Sequence, residues 1–580
     1  MPRLSSPIAD LEDHYDVIIV GSGYGGAVAA SRLARAQTHK NGRLKICVLE
    51  RGREFQPGDF PDTLAGVAAE AQIDLPTGHL RSRTGLYDFR VNDDVHVFVG
   101  CGLGGTSLIN ANVAATPERW VFEDDAWPSQ LSKDIDAGLA EGFMLADAML
   151  DCVPYRDRAD VPPLGKLDAL RRAAAPFERS SGPRSSRAYL NVTFRERIKR
   201  FSGQAGDVEV PRHACQLCGD CVSGCNYGAK SSLLMNYLPD AKANGVKMFT
   251  EVAVRRLERR AARWQVHYEL VKAGRERFGS REMTVTADFV ILAAGTLGST
   301  EVLRRSQEAG LGDPPLKLSR RVGAGFSANG DLFALAYNTA EPVNGIGAGR
   351  SRPIAGEPVG PCITGIIDLR SPQDRDCGMV IEEGVIPGAL AKLLPLALGG
   401  AMLLYGGDMR APIRESLRDE SRRLMRYLSG PYHGATRNTL VFLAMGHDGA
   451  HGRMDLEHDR LRITWPGLER QKNFVQAERR LRETTRELRG VYLKNPFKPI
   501  TVHPLGGCGM GEDGDSGVVD HECRVFSQSS GKDVAFGLYV CDGSIIPRSL
   551  GINPLLTITA LAERMCALMA RRHRWTIDYS

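Results

Sequence analysis

Two sharp bends near the C-terminal end of the 580-residue chain each carry one side chain that could do chemistry, a histidine and an asparagine. The first is TVHPLGG, from Thr501 to Gly507. Its Pro504 fixes its own φ and biases His503 toward an extended backbone. Gly506 and Gly507 let the main chain pass close to a bulky neighbour. Imidazole titrates near neutrality, so His503 could carry a proton, but a lone histidine is more often structural. The second bend, Gly551 to Pro554, places Asn553 just ahead of a helical pattern running from Leu555 to Met569. Pro554 suits the first turn of that helix, and the free N–H groups there suit a polar or anionic ligand. Between the bends, GLYVCDGSIIP reads as a short buried strand ending at Asp542 and Gly543. One histidine proves nothing alone; what the bends face has to come from the rest of the chain.

Glycine-rich turns elsewhere indicate a large flat ligand. YDVIIV, from Tyr15 to Val20, reads as a strand; GSGYGG and a helical run follow it. In this strand–turn–helix frame Gly21 makes the tight turn, Gly23 admits a pyrophosphate, and Gly26 lets helix and strand pack closely. The next strand, Leu44 to Leu49, ends in Glu50, where a ribose hydroxyl is held. The spacing alone does not choose between flavin and nicotinamide. A second segment, Val95 to Asn112, carries Gly100, Gly102, Gly104 and Gly105, then Ser107, Asn110 and Asn112. So many small residues together place backbone against a flat ligand.

These segments, with ILAAGTLGSTEVL (Ile291 to Leu303), VGAGFSANGD (Val322 to Asp331), HPLGGC and the C-terminal run through Arg564, stand in the order seen in one family. The chain resembles the glucose–methanol–choline (GMC) flavin oxidoreductases, and within them the cholesterol oxidases and their relatives. The resemblance spans Tyr15 to Arg564. It implies an α/β chain, α+β overall: a Rossmann-like FAD-binding domain from 12–55, 92–119, 225–331 and 500–572, and a sheet-based substrate domain from 56–91, 120–224 and 332–499. It implies noncovalent FAD, because His96 lies ahead of the second glycine segment, not inside it. Implied cofactor contacts are Gly21, Gly23, Tyr24, Gly25, Gly26, Glu50 and Arg51; Gly100, Gly105, Ser107, Asn110 and Asn112; Val252, Ala294 and Gly295; and Asp542, Gly543, Asn553, Pro554 and Leu555. His503 and Asn553 match the family's His–Asn pair, as base or hydroxyl-orienting residue and its hydrogen-bond partner. In the steroid enzymes a strand glutamate lies near the substrate hydroxyl. Here MVIEEGVIP (Met379 to Pro387) offers Glu383, or Glu382 if the alignment slips by one. On a strand the two point to opposite faces, so only one enters a pocket.

Cys215, Cys218, Cys221 and Cys225 are spaced as in bacterial ferredoxins, with Asn226 where proline follows the last cysteine. Within the segment 213–226 they offer ligands for an iron–sulfur cluster, or reduced thiols lining a tight loop. A cluster would suit a dehydrogenase of another alcohol or sugar; without one, O2 or another acceptor takes the electrons. The run 384–405 has one charge, Lys392, and is broken by Pro395 and glycine pairs. It reads as an apolar lid or peripheral membrane contact over a lipid pocket, which leaves open a weakly active, membrane-associated flavin protein. A net charge of +5 on this length gives no ground for a nucleic-acid partner. With 13 cysteines in a long chain and no apolar leader, a reducing cytoplasm is expected rather than a disulfide scaffold. The elements that must position these groups are the strands Tyr15–Val20, Leu44–Leu49 and Phe289–Gly295, the strand ending at Asp542–Gly543, and helices expected over Asp134–Met149, Arg410–Tyr427 and Asn473–Leu493.

Overall fold

The computed structural model describes residues 1–39, 42–155, 163–271, 281–312, 315–350, 357–371, 373–394, 432–495 and 498–580. In chain order, the elements that build the site begin with β1 (His14–Val20), α1 (Tyr24–Ala34), β2 (Ile46–Leu49) and β3 (His96–Gly100). They continue with β4 (Lys247–Phe249), β5 (Val252–Arg260), β6 (Arg263–Leu270), β7 (Met283–Leu292) and α2 (Gly295–Ala309). The last are β8 (Leu332–Tyr337), β9 (Gly365–Asp368), β10 (Met379–Gly384), β11 (Leu440–Gly446), β12 (Val491–Lys494), β13 (Val534–Val540) and α3 (Leu555–His573).

The first sheet runs β4-β2-β1-β7-β6-β5, with β13 beside the later half of β7. Its centre is parallel, and Val17–Val20 of β1, all of β2 and Phe289–Leu292 of β7 are continuously apolar, as expected of strands covered on both faces. Register aligns their ends: Val20 pairs with Leu49 and Leu292, and Leu292 with Val540. Gly21, Glu50, Ala293 and Cys541 therefore leave the sheet along one edge, the edge at which open α/β sheets bind ligands. Helices α1 and α3 pack on this sheet in the largest core cluster, which includes Val28, Leu33, Leu561 and Met565.

The second sheet is antiparallel, in the order β12-β8-β11-β10-β9, with Ser185–Arg187 beyond β9. One face packs Ala334, Ile381 and Phe442 against helices Gly165–Ala173 and Lys472–Glu487. The second of these helices was expected to reach Leu493. It stops at Glu487 because Arg489 takes a left-handed φ of 53°, Gly490 follows, and the β-favouring residues of β12 complete the sheet edge. The helix expected over Asp134–Met149 appears as a π-turn, Ile135–Leu139, running into a helix from Ala140 to Leu150.

A third sheet joins the halves. The strand Ile500–Thr501 lies parallel to β3, so the bend carrying His503 and the second glycine segment leave neighbouring strands at the same end. Of the apolar run, Gly388–Leu393 forms a short 3-10 helix; 395–405 and the helix expected over Arg410–Tyr427 lie outside the described residues. Among the described residues no helix is long and apolar enough to cross a membrane.

Candidate active site

One cavity of about 1530 Å³ follows the shared strand edge. A cleft for one drug-sized ligand occupies roughly 300–1,000 Å³, so this space accommodates a dinucleotide and a further molecule. Its walls run from Gly21–Gly25 and Glu50, past Gly100, Gly105, Thr106 and Ile109–Val113, to His503 and Asn553. A Cβ at Gly23 would meet no atom within 4 Å, whereas one at Gly26 would sit 2.1 Å from the Gly21 carbonyl oxygen. Gly23 therefore opens onto the cavity at the start of α1, where backbone N–H groups favour an anion, and Gly26 serves close packing away from the lining. The Glu50 carboxylate accepts from Ser22 N at 3.1 Å, Ser22 Oγ at 2.6 Å and Gly52 N at 2.8 Å, which fixes it as an acceptor at the cavity wall. Asn110 donates to the Tyr24 hydroxyl at 2.7 Å and keeps its buried Oδ1 unpartnered. Glycine turn, oriented carboxylate and free amide oxygen fit a dinucleotide such as FAD.

The other expected contacts divide. Arg51, Asn112, Val252, Ala294, Gly295, Asp542, Gly543, Pro554 and Leu555 line the cavity; Ser107 does not. Ser107 instead donates to the Gly104 carbonyl and accepts from Leu233 N, holding its loop in shape. Asp542 accepts from Gly295 N at 2.9 Å and Ser299 Oγ at 2.5 Å, tying the end of β13 to the start of α2. His96 opens β3, accepts from Asn92 N and is absent from the lining.

At the other end, His503 is gripped by Asp331, 1% exposed. Asp331 Oδ1 lies 2.9 Å from His503 Nδ1, and its Oδ2 accepts from the backbone N–H groups of Val502 (2.9 Å) and His503 (3.1 Å). Nδ1 must therefore carry the donated proton, which leaves Nε2 as the nitrogen free for chemistry. Burial alone would lower the imidazole's pKa. The charge and hydrogen bond of Asp331, then the charge of Glu382, outweigh it and hold the ring above its ordinary value.

Asn553 donates to Glu382 Oε2 at 3.2 Å, and its own Oδ1 is buried without a partner. Glu382 sits behind it, fully buried, with Oε1 unpartnered. Burial pushes its carboxyl up to about 8 against the Asn553 hydrogen bond and the His503 charge, which pull the other way. Glu383, the alignment favoured by the sequence, points to the opposite face of β10. There it pairs with Lys166 Nζ at 2.8 Å and accepts from the hydroxyl and N–H of Thr364 and from Gly365 N. Its acceptor capacity is spent inside the core; neither glutamate lines the cavity, and Glu382 reaches the cavity wall only through its hydrogen bond from Asn553. The alternation of a strand predicts that one must turn away but not which.

The cysteine run holds no metal geometry: among the described residues no three of its thiols lie within 4.8 Å of one another. Burial pushes the Cys218 and Cys221 thiols upward, which keeps them protonated. Cys221 packs in an apolar cluster with Leu217, Cys362 and Val385, and Cys215 and Cys225 lie against it. Asn226, standing where ferredoxins have proline, accepts from Gly58 N and Phe60 N and donates to the Phe60 carbonyl; Asp220 accepts from Gly349 N and Gly388 N. The segment is a knot joining distant loops, and the iron–sulfur reading finds no support. Sequence reasoning gave no role to Asp331 or Lys166. The only available signal for Asp331 was an acid just past the Asn329–Gly330 turn, inside a stretch already singled out.

Comparison with known proteins agrees with this geometry. Two family models, each described as GMC oxidoreductase, match residues 188–327 and 454–562. Cholesterol oxidase of Mycobacterium tuberculosis is 28% identical across 96% of this chain and 91% of its own length. A long-chain-alcohol oxidase of Arabidopsis thaliana is 22% identical across 94% of this chain and 66% of its own. Among solved structures, pyridoxine 4-oxidase from Mesorbium loti shares the fold, with a TM-score of 0.58 and 18% identity over 96% of this chain and 99% of that one.

Proposed function

The chain belongs to the GMC oxidoreductases, FAD-dependent enzymes acting on CH–OH donors, and from that premise we propose that it oxidises a sterol or another lipid-like alcohol with FAD held noncovalently. The observation that carries this reading is the pairing of polar groups with an apolar wall. His503 and Asn553 line the same cavity as Val222, Phe333, Ile363, Val385, Val441 and Leu443. Such walls favour the hydrocarbon body of a substrate at roughly 25 cal/mol per Å² buried.

Bound in the glycine cradle, FAD supplies the acceptor for the hydride that leaves the carbinol carbon. Gly21–Gly25 and the start of α1 take the pyrophosphate, and Glu50 the ribose. Asn553, its amide nitrogen tied to Glu382, offers Oδ1 to orient the substrate hydroxyl. His503 Nε2 takes the hydroxyl proton, and Asp331 stabilises the imidazolium that forms. The carbonyl product then leaves along the apolar wall. The absence of His96 from the lining supports noncovalent attachment. The division into a cofactor domain (12–55, 92–119, 225–331, 500–572) and a substrate domain goes with this reading, as does O2 as acceptor, since the named relatives are oxidases. Membrane contact through 384–405 would bring a greasy substrate to the cavity.

Anaerobic mixing of the holoprotein with sterols, long-chain alcohols, sugars and short alcohols tests the proposal. Bleaching of the flavin band by the lipid-like members is expected. Bleaching by sugars or short alcohols alone would overturn the substrate class, and bleaching by none would overturn the activity.

A further inference from the structure

We propose that Asp331 is the positioning residue of this site, and that the turn Asn329–Asp331 is the common frame on which both His503 and Asn553 are set. The inference rests on the alcohol-oxidising reading above for its kinetic arm only.

Two side chains of this turn reach the two bends. Asp331 spends both carboxylate oxygens on one of them: besides the contacts to Val502 N, His503 N and His503 Nδ1, it accepts from Thr501 Oγ1 at 2.9 Å. Asn329 Oδ1 accepts from Leu550 N at 2.9 Å and Gly551 N at 3.0 Å, while its Nδ2 donates to the Ile552 carbonyl at 3.0 Å. That side chain thus holds the three residues just before Asn553. Asn329 does so from a left-handed backbone, φ 54°, a conformation that asparagine tolerates better than most side chains. The turn is itself anchored from beneath. Asp448 accepts from Gly330 N at 3.0 Å and Ser327 Oγ at 2.8 Å, and Ser327 Oγ accepts from Asn329 N. All four of these polar side chains are buried. A buried carboxylate with every oxygen committed cannot swing, so the His503 ring and its tautomer are set before any substrate arrives.

The arrangement also sets charge. The titratable groups that act on His503 are Asp331, hydrogen-bonded to its ring, and Glu382 on β10; Asp448 lies under the turn, and Glu383 on the far face of β10 is paired with Lys166. When His503 Nε2 takes the hydroxyl proton, the new positive charge forms beside Asp331. No atom is lost: the proton moves from substrate oxygen to imidazole, and Asp331 keeps its own charge. A carboxylate oriented this way improves a histidine base by fixing the ring and stabilising the imidazolium without becoming protonated.

The test is a pH titration of the holoprotein labelled with carbon-13 at histidine Cε1, in the parent, Asp331→Asn and Asp331→Glu, with His503→Gln used to assign the signal. The parent midpoint for His503 should lie above 6.5, and Asp331→Asn should lower it. A parent midpoint at or below 6.5, or an unchanged midpoint in Asp331→Asn, would overturn the proposal without any appeal to turnover. In rapid mixing with an alcohol, Asp331→Asn should shift the acid limb of flavin reduction down by the same amount and cut its plateau tenfold to a hundredfold. Asp331→Glu keeps the charge but displaces the carboxylate, so it should restore the midpoint and not the plateau. Full recovery of the plateau in Asp331→Glu would show that charge alone matters and that positioning does not. Should no alcohol bleach the parent flavin, the functional reading fails while the titration still decides on Asp331.

Discussion

The two faces of β10 hold neighbouring glutamates in opposite states. Toward the core, Glu383 is satisfied by Lys166, Thr364 and Gly365 and has nothing left to offer. On the other face, behind the cavity-lining Asn553, Glu382 keeps one oxygen unpartnered and a carboxyl raised to about 8, next to an asparagine with its own spare acceptor. Both residues are fully buried, so burial does not separate structure from chemistry here. The separation lies in whether hydrogen-bonding capacity is spent. A buried polar group with none to spare holds a fold together, and one kept open costs stability and is retained where a ligand will use it.

If that contrast is right, substitutions on the cavity side change rates and those on the core side change stability. The largest effect expected is on the cavity side. His503→Ala and Asn553→Ala should retain FAD and lose about two to four decades of flavin-reduction rate, the usual size of a general acid–base contribution. Stopped-flow bleaching measures it; parent rates in both variants would remove these residues from the site. The next effect is on the core side. Lys166→Met leaves Glu383 buried without its cation, and breaking such a pair by removing one partner costs about 3–5 kcal/mol. Denaturant unfolding should show that loss. A variant of parent stability with slowed flavin reduction would assign chemistry to the wrong face of the strand.

A smaller effect separates Glu382 from its neighbour. Glu382→Gln keeps the shape and the acceptor for Asn553 but removes the titration near pH 8. Because the native carboxyl is raised above its ordinary value, its charged form appears only as pH rises through about 8. Any alkaline limb in the parent's pH–rate profile near that value should vanish in Glu382→Gln. Persistence of the limb would assign it to another group.

Much of this was legible in sequence because it depends on local chemistry. The glycine turns, the acid after the second strand, the bends at His503 and Asn553 and the strand ends at Asp542 all follow from spacing and backbone preference. The illegible parts depend on long-range register. Which glutamate turns toward Asn553 is decided by the strand register that pairs Glu382 with Ile366 and Leu443. Asp331 reaches His503 across a sequence separation of 172 residues, so no local pattern announces it. Helix and strand could not be divided at Arg489 because the turn there rests on a positive φ at a residue that rarely takes one. The cysteine spacing misled for the opposite reason: the local motif was present, but the surrounding loops use it as packing.

The smallest effect expected is at that cysteine run, which behaves as a core-side region although Val222 in its midst touches the cavity. Cys218 lies between loops that meet the segment through backbone bonds, from Ala348 N to the Cys218 carbonyl and from Val359 N and Gly360 N to the Leu217 carbonyl. Its thiol is pushed up by burial, then by neighbouring Cys221 and Asp220, and is therefore neutral at physiological pH. Replacing sulfur by a hydroxyl there exchanges a weakly polar group for one that wants a hydrogen bond, at a cost of about 1–3 kcal/mol if none is found. Cys218→Ser should therefore lower unfolding stability modestly. It should leave the flavin spectrum, flavin reduction and electron delivery to an artificial acceptor within about twofold of the parent. Protein purified without oxygen should contain flavin but no stoichiometric iron or acid-labile sulfide. Iron that is present in the parent and lost in Cys218→Ser, with slowed delivery to the acceptor, would move this segment from packing to chemistry and break the contrast drawn from β10.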